Sequence, residues 1–190
     1  MTTLAPTLYN RTFPRMASWL RDLILIMFGA LFIAALAQVK IHLPFTPVPL
    51  TGQTFAVLLI AAVLGSKRGA GAMFFYIALG AFGLPIFAGG ASGIAYLSGA
   101  TLGYLIGFVI AAYVVGLLAE RGLERSVRTS IIPFLIGTVI IYACGVAWLA
   151  IILGSFSKAI AAGLIPFIIG DVIKVIAATL ALPAAWKLTT

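Results

Sequence analysis

Polar side chains interrupt this chain only at intervals, and the apolar runs between them have the length of membrane crossings. A helix rising 1.5 Å per residue needs about 20 mostly apolar residues to cross the roughly 30 Å hydrocarbon core of a bilayer. Breaks at charged residues, Pro and Gly predict six such helices, near residues 22–40, 50–65, 69–87, 100–119, 130–153 and 164–186. The second is short, since Leu50 to Gly65 covers about 24 Å as a helix, and it is expected to begin below the membrane surface. In the last run, one sector at 3.6 residues per turn holds Phe167, Gly170, Asp171, Lys174, Ala177, Ala178 and Ala181. The opposite sector holds Ile168, Ile169, Val172, Ile173, Val175, Ile176, Thr179 and Leu180. That division predicts a small, polar face lining a cavity and an aliphatic face against lipid. The expected fold is an all-α membrane protein, a bundle of six transmembrane helices. Residues 1–21 form an N-terminal segment, 22–186 the single membrane domain and 187–190 a tail.

Composition agrees. Apolar residues make up 63% of the 190 and charged residues only 8%, far from the roughly 25% charged of a soluble domain, and the mean hydropathy is +1.22. The net charge of +8 does not indicate nucleic acid, because the basic residues sit in separate short loops instead of on one solvated face. They do set an orientation. Alternate sides receive Arg11, Arg15, Arg21, Lys67, Arg68, Arg121, Arg125, Arg128 and Lys187 on one face, against only Lys40 and Lys158 on the other. Basic loops are held on the cytoplasmic side, so both termini are expected in the cytoplasm. The lone Cys144 lies inside an apolar run and offers neither a disulfide partner nor a metal cluster. The halves of the chain show no repeat, and no cleavable signal precedes the first span.

The two outer connections are unusual. KIHLPFTPVPL, Lys40 to Leu50, carries Pro44, Pro47 and Pro49, which forbid a continuous helix; it is read as a stiff, apolar loop that either folds onto the bundle as a lid or merely connects. His42 there has no ligand-forming neighbours at metal spacing. GLPIFAGGASGIAYLSGATLGYLIGF, Gly83 to Phe108, is rich in glycine but contains no GxxxxGK[ST] phosphate loop, so no ATPase site is legible. Gly99, Gly103, Gly107 and Ala111 recur every four residues, a ridge that allows close helix approach.

Asp171 and Lys174 are the chain's candidate chemistry. A charge at the centre of a membrane helix costs about 2.5–3.5 kcal/mol on the insertion scale, and two kept three residues apart share one face. A structural ion pair, a proton relay and a ligand-binding constellation all remain open. The pair as a ligand site, its charges compensated by a small polar guest from the outer side, is the reading favoured by the small residues around it.

Three blocks, FTPVPLTGQTFAVLLIAAVLG, GLPIFAGGASGIAYLSGATLGYLIGF and PFIIGDVIKVIAA, occur in an order that resembles BioY, the biotin-specific substrate-binding (S) component of energy-coupling factor (ECF) transporters, over residues 22–186. Where many relatives have Gly-Pro-Thr, this chain has Gly99-Ala100-Thr101. The resemblance implies a non-enzymatic subunit of the bacterial cell membrane, without cofactor or metal, that captures biotin from outside. It implies delivery inward with a transmembrane coupling (T) component and two ATPases. It also implies substrate contacts at Asp171 and Lys174, with Gln53, Gly89, Gly90, Tyr96 and Tyr104 as further candidates, and partner docking at Ala30 and Ala34, which with Ala37 form a flat stripe of small residues. From the residues alone the stripe can equally pack inside its own bundle, and either Tyr can be an interfacial anchor. Lys174 is assigned to either end of the vitamin. Rival readings are an S component for another vitamin, a proton-coupled secondary transporter using Asp171, and a structural membrane protein.

Overall fold

The computed structural model describes residues 3–13 and 15–187; residues 188–190 of the expected tail lie outside them. The chain is built of helices α1 (Leu4–Thr12), α2 (Ser18–Ala37), α3 (Gln53–Leu64), α4 (Ser66–Ala81), α5 (Ile94–Leu97), α6 (Leu102–Glu120), α7 (Val127–Leu153), α8 (Phe156–Gly163) and α9 (Ile168–Lys187), with a two-stranded ribbon of β1 (Lys40–Ile41) and β2 (Leu50–Thr51). Four stretches are long and apolar enough to cross a membrane: Ser18–Ala37, Leu102–Glu120, Val127–Leu153 and Phe156–Lys187. Helix α3, with 12 residues, rises about 18 Å and α4, with 16, about 24 Å. The sequence places a helix from residue 50; the structure starts it at Gln53, because Leu50 and Thr51 pair antiparallel with Ile41 and Lys40.

Close packing depends on glycines and small residues. A Cβ on Gly103 would fall 2.3 Å from Trp148 Cβ and 2.5 Å from the Cys144 carbonyl oxygen, and one on Gly107 would fall 3.0 Å from Ile141 Cα. The ridge expected on α6 thus seats α7. Gly65, at φ +87°, makes the sharp α3–α4 turn that no other residue adopts cheaply. The new helix start is satisfied by Glu120 of α6, whose Oε1 accepts from the Ser66 N–H at 2.8 Å and its hydroxyl at 2.9 Å.

Proline inside α9 has a matching partner. Pro183 lacks the N–H that would bond the Thr179 carbonyl four residues earlier, and that carbonyl instead accepts from the buried Ser130 hydroxyl of α7 at 3.2 Å. Such cross-helix repair is what permits Pro within a bilayer.

Within the N-terminal segment α1 forms, with Leu4 and Pro6 buried, and α2 begins at Ser18, four residues ahead of the expected span. One expectation is corrected. On α9 the buried stripe runs Phe167, Asp171, Val175, Ala178, Thr179 and Leu182, while Ala177 and Ala181 are exposed. The inward sector is therefore rotated toward Val175 and Thr179, where α7 packs, although Ile168, Ile169, Val172, Ile173, Ile176 and Leu180 face outward as expected. On α2, Ala30, Ala34 and Ala37 are 1%, 7% and 0% exposed. Their neighbour Gly29 meets Ala72, Ile60 and Leu64 of α4 and α3. The three alanines are thus buried within the chain, and the outward face of α2 carries Leu23, Ile24, Met27, Phe28 and Leu31.

Between α6 and α7, Glu124 is fully buried in the 3-10 turn Leu123–Arg125. Arg125 Nε lies 3.8 Å from its carboxylate, and the Arg125 guanidinium lies 4.5 Å above the Trp186 ring of α9. Burial pushes the Glu124 carboxyl above its ordinary 4.5, and Arg125 offsets only part of that. A carboxyl raised on folding binds more protons in the native state, so stability is lost as pH rises from about the unfolded value through the folded one. Glu124→Gln is expected to flatten this decline. Thermal midpoints of wild type and variant between pH 4.5 and 8 check it, and parallel profiles would exclude the assignment.

Candidate functional site

The ribbon and the proline loop place the site. Within the loop, Thr46 and Val48 are buried; the Thr46 hydroxyl donates to the Ala162 carbonyl of α8 at 2.7 Å and accepts from the Val48 N–H at 3.1 Å. A threonine hydroxyl that both donates and accepts clamps the loop across the bundle, so the lid reading holds geometrically. Beneath Val48 and Pro49 lies a cavity of about 490 Å³ counting its open mouth, walled by α3, α6, α7 and α9.

Asp171 and Lys174 form one wall. Lys174 Nζ donates to Asp171 Oδ1 at 2.7 Å, to the Thr54 hydroxyl at 2.8 Å and to the Thr51 carbonyl at 2.8 Å. Asp171 accepts in addition from the Thr54 hydroxyl at 3.1 Å and from the Tyr142 hydroxyl at 2.5 Å. The Asp side chain is 7% exposed and the Lys side chain 20%. The sequence assigns compensation of these charges to a guest; the structure supplies most of it from Thr51, Thr54 and Tyr142. All three ammonium donors are engaged, whereas a carboxylate offers about four acceptor positions and Asp171 uses three. The site can therefore accept one further N–H at Asp171 and exchange donors at Lys174.

The other sequence candidates divide. Gln53, Tyr96 and Tyr104 line the same cavity. The Gln53 amide donates to the Tyr76 hydroxyl at 2.9 Å, which donates in turn to the Ile86 carbonyl at 3.2 Å. Tyr104 is held by the Gly163 carbonyl at 2.7 Å, its ring seated where a Cβ on Gly145 would come within 2.3 Å. Tyr96 stacks on Phe87 with centroids 4.6 Å apart. Gly89 and Gly90 are not in the wall: they form an exposed turn at φ +70° and +79°, and Gly89 passes beneath Lys40. Thr51, Thr54, Thr101 and Tyr142, all cavity-lining, are not among the site residues expected from the sequence. The cluster Thr51-Gly52-Gln53-Thr54 at the head of a greasy helix is the signal that marks the first two.

A lid over a polar pair sunk in an apolar bundle, with one aromatic wall, suits binding of a small solute. The family model for the BioY family matches residues 7–190. A biotin transporter BioY from Rhizobium etli is 39% identical over 169 residues, covering 84% of this chain and 90% of the relative. A biotin transporter BioY from Thermotoga maritima is 44% identical over 140 residues, covering 74% and 82%. A solved S-component for biotin from an ECF-type ABC transporter superposes with a TM-score of 0.81 at 26% identity, over 90% of this chain and 95% of that one. These relatives, with the apolar helices of the fold, define a membrane transport component and not an enzyme. The chain belongs to the BioY family.

Proposed function

We propose that this chain is the biotin-binding S component of an ECF-type transporter in a bacterial cell membrane. It takes biotin from the outer side into the cavity under Val48 and Pro49 and passes it inward with a T component and two ATPase subunits. In this reading α3 and α4 complete six crossings around the site, with both termini cytoplasmic. The observation that carries it is the coincidence of the lidded cavity with Asp171 and Lys174 in a chain whose relatives are biotin transporters.

The chemistry fits. Biotin's ureido ring has two N–H donors and a strongly accepting carbonyl; Asp171 has an acceptor position to spare, and Lys174 can turn a donor toward the carbonyl. Hydrogen bonds to charged groups contribute about 1.5–3 kcal/mol each. Nanomolar capture needs about −12 kcal/mol, so burial of the thioether ring and valeryl chain against Tyr104, Leu105, Phe108 and Phe167 must supply the remainder. The purified chain is expected to melt higher in micromolar biotin, by an increment equivalent to about 2.7 kcal/mol at a hundredfold excess over Kd, and not in riboflavin or thiamine. An equal shift with all three, or none with biotin, would reject the assignment. Uptake that stops with a proton uncoupler at constant ATP would favour a secondary transporter instead.

A further inference from the structure

The cavity has a neighbour. A second space of about 690 Å³, counting its open mouth, lies outside it and shares Pro49, Tyr96 and Thr101 as common walls. Its outer lining includes Lys40 and His42, the first of them on the ribbon. Inside, Asp171 and Lys174 neutralise each other. Outside, no carboxylate among the described residues pairs with Lys40. The chain's other acids, Asp22, Glu120 and Glu124, stand at the opposite ends of α2 and α6, a helix length away. The two adjoining spaces thus differ in charge: a neutral polar pair in the inner one, an unpaired cation in the lining of the outer one.

Lys40 is also placed, not merely present. Its partner in the ribbon is Thr51, whose carbonyl holds Lys174, so one hairpin carries a contact for the inner site and the cation of the outer one. Its stem lies across the turn at Gly89, where a Cβ would fall 2.7 Å from Lys40 Cδ and 3.0 Å from Nζ. Glycine at φ +70° there leaves the track the lysine stem occupies; any side chain would evict it.

Resting on the biotin reading above, we propose that Lys40 forms a carboxylate subsite. The vitamin binds with its ureido ring at Asp171 and Lys174 and its valerate carboxylate beneath the Lys40 ammonium. Two ends of one ligand, one neutral and polar, the other anionic, meet two spaces of the same character. The subsite makes the protein selective for the free acid over forms whose carboxylate is tied in an amide or ester, and it leaves Lys174 to the ring.

The test compares equilibrium binding of biotin and biotinamide by the full chain in lipid nanodiscs, for wild type and Lys40→Gln. Wild type is expected to prefer the acid by about tenfold, the worth of one charge-assisted contact, and the preference is expected to shrink with added salt. In Lys40→Gln the acid-to-amide ratio falls to near one. Equal binding of acid and amide by wild type overturns the subsite while leaving biotin as ligand. A tenfold preference that survives Lys40→Gln also overturns it and sends the carboxylate to Lys174. Failure of wild type to bind either compound removes the biotin reading and the subsite together.

Discussion

Asp171→Asn is expected to weaken biotin binding about a hundredfold or more and to lower the melting temperature of the ligand-free protein. The carboxylate has three protein partners: Lys174 at 2.7 Å, the Thr54 hydroxyl at 3.1 Å and Tyr142. An amide keeps one oxygen but puts an –NH2 where the second accepts, and it removes the negative charge beside a partly buried ammonium. Breaking a buried pair by neutralising one partner costs about 3–5 kcal/mol, more than the few tenths expected of a surface change. For the ligand the loss is one charge-assisted hydrogen bond and a correctly held Lys174, together about 3 kcal/mol, which is the hundredfold stated. Tyr142→Phe removes a single donor and keeps the charge, so its effect on affinity should be about tenfold smaller. Titration calorimetry on both variants, paired with their melting curves, separates the two consequences. Unaltered affinity in a destabilised Asp171→Asn protein would make the pair purely structural and remove it from the site.

What was legible in the sequence, and what was not, follows from how each feature is encoded. The long apolar helices α2, α6 and α7 and the Asp171/Lys174 pair are visible because each departs strongly from background: uninterrupted hydrophobicity, or a charge within it. The non-helical loop is visible because three prolines in six residues permit nothing helical, but its role as a lid is not, since a connector would read the same. Tyr142 is not, since one tyrosine in a 27-residue apolar helix carries no signal of its own until α9 brings Asp171 to its hydroxyl. The rotation of α9 is hidden for a related reason. Alanine is indifferent to lipid and protein, so Ala177 and Ala181 join either face, and only packing against α7 reveals that Val175 and Thr179 turn inward. The small-residue stripe of α2 has the same ambiguity. Ala30, Ala34 and Ala37 specify a close neighbour but not which one, and here α3 and α4 provide it.

The same physics of close approach, read where it is unambiguous, gives the second large effect. Gly103→Val is expected to cost about 3 kcal/mol of stability and to reduce biotin affinity with it. Helix propensity alone predicts a small gain, since valine is a better helix former than glycine, although Gly103 lies in the first turn of α6. Space decides between them. At Gly103 the first added carbon would sit 2.3 Å from Trp148 Cβ and 2.5 Å from the Cys144 carbonyl oxygen, atoms of a neighbouring helix that cannot swing aside. Helix α7 must therefore shift as a body, stretching the bond from the Trp148 indole N–H to the Gly99 carbonyl, now 2.9 Å. Tyr104 and Tyr142, whose rings meet edge-on across that seam at 6.4 Å, separate, and both line the cavity. Within a bilayer no hydrophobic drive recloses the seam, because lipid chains fill it as readily as side chains do. Gly71→Ala is the control: there an added methyl faces only the Ile26 side chain, Cδ1 at 3.2 Å and Cγ1 at 3.5 Å, which can give way, so the propensity gain should survive. Melting curves of the two variants should move in opposite directions. A Gly103→Val protein as stable as wild type would mean that α6 and α7 are not held at the separation on which the geometry of the site depends.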